Sequence, residues 1–133
     1  MVETKGIHFI VEGTTNNKEI LSNLDKLKDL LMKSAKFANM EIKGEHFFKF
    51  GEKGVSGVVI VAESHISIHT WPEHNYFALD IYTCGKKAKP DKAIDFLLKE
   101  LNSDYHFLTK IERGIKDKDK FIHKIEKNGG AGI

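Results

Sequence analysis

Cysteine is almost absent from this chain. Cys84 stands alone in 133 residues, so no disulfide can close within it, and a reducing, cytoplasmic setting follows most simply. Proline occurs only at Pro72 and Pro90, and no stretch reads as an interdomain linker. No apolar run approaches the ~20 residues of a membrane span. The opening MVETKGIHFIVEG carries Glu3 and lacks a long apolar segment, which argues against a signal peptide. Neither sign of charge prevails: 21 basic residues against 19 acidic leave +2, too balanced for a nucleic-acid footprint. What remains is one soluble domain spanning 1–133, 41% hydrophobic and 30% charged. At this size a chain buries roughly two thirds of its unfolded surface, enough for a core without staples.

The elements follow from periodicity. GIHFIV (6–11) reads as a strand. Asn16 with Glu19 resembles a capping box, and Leu21, Leu24, Leu27, Leu30, Leu31 and Ala35 then recur as one helical stripe to about Ala38. Residues 42–50 alternate as a strand, with a turn at 51–54. Val55 to Ala62 is apolar and uncharged, which asks for cover on both faces, the second supplied by another subunit's sheet. Ile66–Thr70 and Tyr76–Thr83 continue as strands around a turn at Pro72. Pro90 opens a second helix striped by Ile94, Leu97, Leu98 and Leu101. Tyr105–Ile111 is a last strand, and 115–133, charged and then glycine-rich, reads as a flexible tail. The order predicts an α+β, two-layer sandwich: an antiparallel sheet with two helices on one face.

Chemistry gathers in residues 62–74, AESHISIHTWPEH, which place Glu63, Ser64, His65, Ser67, His69, Trp71, Glu73 and His74 directly after a greasy run. Glu63 ends that run, where a carboxylate must find a partner or water. Several readings are open. His65 and His69, with Cys84 or His74, have the types for zinc, but Ile66, Ile68 and Pro72 oppose the helix that their spacing would need, so no metal is expected. Cys84, His69 and Glu73 have the types of a thiol hydrolase. Gly54-Val55-Ser56-Gly57 matches the loop by which KH domains clamp nucleic acid, which would make this a small non-enzymatic binding domain, but it joins strands rather than helices.

Longer strings narrow the choice. VSGVVIVAESHISIHTWPE (55–73) and LDIYTCG (79–85) closely resemble the central region of prokaryotic S-adenosylmethionine decarboxylases. Weaker echoes lie at Gly6-Ile7-His8 with Glu12, at Phe48-Lys49-Phe50 and at Glu112-Arg113-Gly114. The resemblance implies a pyruvoyl enzyme made as a zymogen. The Ser64 hydroxyl would attack the Glu63 carbonyl, and elimination would release a chain of 1–63 and leave 64–133 headed by a pyruvoyl group derived from Ser64. By the family pattern Ser56 donates a hydrogen bond to the cleavage intermediate and His69 is the base. The ketone would form a Schiff base with the substrate amine and accept the electrons freed with CO₂, and Cys84 would return a proton to carbon. Phe50, Trp71 and Glu73 would contact the substrate, and the site would lie between two subunits of a homodimer. The product, decarboxylated S-adenosylmethionine, would serve spermidine synthesis.

Two features complicate that picture. Ser64 and His69, five apart, point to opposite faces of an unbroken strand, so these roles ask for a bulge near 64–66. The family's YGYAA and Pro-Tyr are replaced by HNYFA (74–78) and Glu52-Lys53, and Gly13-Thr14-Thr15-Asn16 stands where a cysteine is usual. Phe77, replacing alanine, would narrow an adenosine pocket. L-arginine or L-ornithine decarboxylation on the same scaffold is therefore the alternative.

Overall fold

The computed structural model describes residues 4–62, 64–84 and 87–131. In chain order it forms β1 (Gly6–Thr14), α1 (Lys18–Leu21), α2 (Leu24–Phe37), β2 (Ile42–Lys49), β3 (Val55–Val61), β4 (Ser64–Trp71), β5 (Tyr76–Cys84), α3 (Pro90–Glu100), β6 (Tyr105–Asp117) and β7 (Lys120–Ala131). A short 3-10 turn, Pro72–His74, links β4 to β5. The strands form one antiparallel sheet in the order β2-β3-β4-β5-β1-β6-β7. The helices cover one face, as the alternation and the leucine stripe predict.

That covered face holds the core. Val55, Val59 and Val61 of β3, Ile66 and Ile68 of β4, and Phe77, Leu79 and Ile81 of β5 are buried under Leu27, Leu31, Ala35, Ile94 and Leu97. Thr70 is a polar exception with every role filled. Its hydroxyl donates to the Leu21 carbonyl at 2.6 Å and accepts from the Val55 amide at 2.8 Å, which ties β4 to β3 and to the end of α1. Gly54 is needed beside it, because a Cβ there would lie 2.0 Å from the Thr70 carbonyl oxygen.

Two expectations are corrected. The first helix is two: Asn17 accepts from the Ile20 amide and Asn23 accepts from the Lys26 amide. Two asparagine caps satisfy the free amides of two helix starts, so the chain bends at Ser22 with little loss. The segment 115–133 is no loose tail. β6 runs on to Asp117, a turn follows, and β7 pairs back along it from Lys120↔Asp117 to Ala131↔His106. Backbone pairing, not burial, makes this hairpin, so it left little hydrophobic signal. Within one chain β3 is covered on one face: Val55, Gly57, Val59 and Val61 are buried, while Ile60 is exposed.

Candidate active site

The face away from the helices is polar and aromatic; Ser56, His69 and Trp71 lie at one end of it and Cys84 at the other, while Ser64 shares the helix side with Ile66 and Ile68. At one end the β3–β4 register sets Ser56 opposite His69, and Ser56 Oγ lies 2.8 Å from His69 Nδ1. The imidazole Nε2 is left for a second partner. Trp71, two residues along the same face, stacks on Tyr76 at 5.1 Å. Phe50, Trp71 and Glu73 join Ser56 and His69 around a pocket of about 240 Å³. Tyr76 in turn donates to Glu12. Burial, then that bond, pushes its hydroxyl up to about 12, so it remains a donor at neutral pH.

At the other end, Ser64 begins β4 and pairs with Val61. Cys84 ends β5. The β4–β5 register, His65↔Tyr82, carries Ser64 alongside Thr83. Cys84 lines a second pocket, of about 190 Å³, with Val61, Ala62, Glu41 and Lys87. Glu63, the other half of the expected cleavage site, lies outside the described residues.

The strand between these ends is unbroken. β4 keeps one register against β3 and β5 from Ser64 to Trp71, so the bulge expected near 64–66 is absent and Ser64 and His69 lie on opposite faces. Five residues of strand separate them by roughly 16 Å. One protomer therefore joins Ser56 with His69, Phe50, Trp71 and Glu73, and separately joins Ser64 with the Cys84 end of β5. It does not join the two groups. Phe77 is also corrected: it is fully buried on the helix side, its ring over Gly13, where a Cβ would meet it at 2.2 Å. It narrows no substrate pocket.

Between the two ends lies a cluster that the sequence reading passed over. His8 Nε2 and His65 Nε2 approach one oxygen of Asp80 at 2.7 and 3.2 Å, and Ser67 donates to the other. Arg113 donates to His8 Nδ1 at 3.1 Å, so that nitrogen accepts and Nε2 carries the proton given to Asp80. The same bond opposes a metal on Nε2, which would place the ring proton against the arginine. The clue was Asp80 itself, an acid alternating with Leu79 and Ile81 inside a strand. Burial is the largest single influence on Asp80 and resists its charge. Bonds from His8, Ser67 and His65, with the charge of His65, nevertheless hold the carboxyl well below the usual carboxylate range.

That depression has a sign. The stability it brings is complete above the unfolded value of about 3.9 and is lost as pH falls from there toward the folded value. Urea denaturation of Asp80→Asn is expected to show a flatter loss of stability below about pH 4 than the unaltered chain. Parallel acid limbs would refute the role given to this carboxylate.

Comparison with known proteins adds the following. Residues 7–114 match the family described as S-adenosylmethionine decarboxylase. A Thermococcus gammatolerans protein named S-adenosylmethionine decarboxylase proenzyme is 52% identical over 125 residues, 93% of this chain and 87% of that one. A protein of the same name from Thermodesulfovibrio yellowstonii is 38% identical, with 90% of each chain covered. Among solved structures, the adenosylmethionine decarboxylase of Aquifex aeolicus superposes with a TM-score of 0.80 at 34% identity, covering 90% of this chain and 98% of that one.

Proposed function

The chain belongs to the S-adenosylmethionine decarboxylase family, and from that premise we propose that it cuts itself at Glu63–Ser64 and then releases CO₂ from S-adenosylmethionine. The observation that carries this reading is a Glu63-Ser64 sequence, its serine the first residue of β4, in a chain 52% identical to a protein named a proenzyme. The surroundings suit the chemistry. Ser64 starts a strand and pairs with Val61, which lines the pocket of Cys84. A pyruvoyl group at residue 64 supplies an electrophilic carbonyl that takes up the electron pair left by CO₂.

The chain's own residues do the rest. For cleavage, the Ser64 hydroxyl attacks the preceding carbonyl carbon, Ser56 donates to the oxygen that becomes negative, and His69 takes the proton whose loss drives elimination. For decarboxylation, Cys84 gives its proton to the substrate carbon. Phe50 and Trp71 offer ring faces to an adenine or sulfonium, and Glu73 accepts from the ribose or adenine.

These assignments need Ser56 and His69 near Ser64, and one protomer keeps them apart. Two copies paired through their open faces resolve this, with Ser64, the first residue of β4, turned from the helix side to the paired face. A two-fold contact repeats itself, so the Ser64–Cys84 end of one copy meets the Ser56–His69 end of the other, twice. Ile60, Phe48 and Trp71, large and exposed on that face, gain cover in the same step. We therefore read the active form as a homodimer with two shared sites. Among the described residues no helix is long and apolar enough to cross a membrane, and a lone cysteine suits a reducing cytoplasm.

Carbon dioxide release measured side by side on S-adenosylmethionine, arginine and ornithine tests the substrate. Turnover of S-adenosylmethionine alone is expected, since Phe77 lies away from the pocket. Turnover of an amino acid in its place would overturn the choice.

A further inference from the structure

Trp71 is both a wall of the Ser56–His69 pocket and one partner of a stacked pair. The β4–β5 register sets it directly across from Tyr76. The two rings lie 5.1 Å apart and 27° from parallel, an arrangement that aromatic pairs favour. The link between them is short: Pro72–His74 forms one 3-10 turn, and the Asn75 amide closes it on the Pro72 carbonyl at 3.1 Å. Tyr76 is held from elsewhere too. It pairs with Thr14 of β1, and its hydroxyl donates diagonally to Glu12 of the same strand. Trp71 also approaches the His69 ring, at 6.4 Å between centres. Contacts thus run from Glu12 of β1 through Tyr76 of β5 to Trp71 and His69 of β4 and on to Ser56 of β3, all neighbouring strands. Tyr76 is not among the described residues that line the pocket, so it can reach a substrate there only through Trp71.

We propose that Tyr76, anchored by Glu12, is a positioning residue that fixes the plane of Trp71 for a substrate ring. This rests on the reading of Trp71 as a substrate contact. The indole is 40% exposed. Free to turn about its side-chain bonds, it would lose that freedom each time a ring lay on it, and the loss would weaken binding. Stacking on Tyr76 removes much of that freedom beforehand. A stack alone could slide or turn as a unit. The bond to Glu12 ties the tyrosine to a third strand, so the pair keeps one orientation. The benefit is selective: a flat adenine gains from a preset indole plane, whereas ornithine has no flat group to lay against it. It is also uniform, since the ring is bound alike before and during the loss of CO₂. The effect therefore falls on KM rather than on kcat.

Trp71 is the only tryptophan in the chain, so indole fluorescence reports on it alone. Time-resolved anisotropy is measured in uncleaved Ser64→Ala protein, with and without a second change at position 76. Tyr76→Leu removes the ring, and Tyr76→Phe keeps the ring but releases it from Glu12. Both should enlarge the share of anisotropy lost on the picosecond-to-nanosecond scale of side-chain motion, Tyr76→Phe by less. In the cleaved enzyme Tyr76→Leu is expected to raise KM for S-adenosylmethionine roughly three- to tenfold with kcat unmoved. Glu12→Ala should follow Tyr76→Phe. Glu12→Gln, whose amide oxygen still accepts from the hydroxyl, should restore the unaltered KM. Anisotropy that decays as before in both position-76 variants overturns the proposal. So does a fall in kcat with KM unmoved, which would place Tyr76 behind His69 instead. Faster decay with KM and kcat both unmoved overturns the reading of Trp71 as a substrate contact, and the positioning role falls with it.

Discussion

Ser64→Ala protein will remain one intact chain and will release no CO₂ above background from S-adenosylmethionine. Methyl for hydroxyl is a small change at a half-buried strand end, so the fold should survive it. The chemistry should not. Without the oxygen there is no attack on the Glu63 carbonyl, no ester, and no elimination. The amine of residue 64 stays locked in its amide and no carbonyl sink forms. The expected loss is the whole rate enhancement, about a millionfold or more for an enzyme of ordinary power. Intact mass should separate the cases: fragments 1–63 and 64–133 from the unaltered chain, the second blocked at its N-terminus, and a single species from the variant. Uncleaved but active unaltered protein would remove the pyruvoyl group from the reading altogether.

The second large effect is a gain. His69→Ala alone should be inactive, as should Ser64→Ala. Co-expressed, the two should recover roughly a quarter of normal activity, because random pairing makes half the dimers hybrid and each hybrid carries one unaltered site. The argument comes from the distance along β4. Ser64 and His69 sit at opposite ends of an unbroken strand and on opposite faces, so a site built within one protomer would have both defects in separate chains and nothing to share. No recovery in purified hybrid dimers would place Ser56 and His69 with their own Ser64, and would require β4 to break when the chain is cleaved.

Much of this was legible in the sequence, for identifiable reasons. The leucine stripe from Leu21 to Leu31 reports burial on one side, and the structure buries it there; the alternation in 42–50 misleads, because the register shifts between Ile42 and Gly44 and Phe47 packs on the core while His46, Phe48 and Phe50 are exposed. Ser56 and His69 were named through the family resemblance, each for its own role; that they face one another came only with the β3–β4 register. Other features were hidden because they leave no burial pattern. Asn23 splits a helix through a side-chain cap that the leucine stripe runs straight across. β7 is held by backbone bonds to β6 while most of its described side chains stay exposed. Asp80, His8 and Arg113 meet only through the register of β5, β1 and β6, which no local stretch encodes. The parity of Ser64 and His69 was legible and correct, but sequence offered a bulge as its resolution, whereas an unbroken strand points to a second chain.

The outermost strands, β2 and β7, carry Lys43, Lys49, Lys120, Lys124 and Lys127. Ammonium groups along a border repel any further ribbon trying to add there. Growth sideways into fibres is thereby discouraged at both borders, which leaves the broad surface for the proposed two-fold pairing, a contact that closes after a single partner instead of propagating.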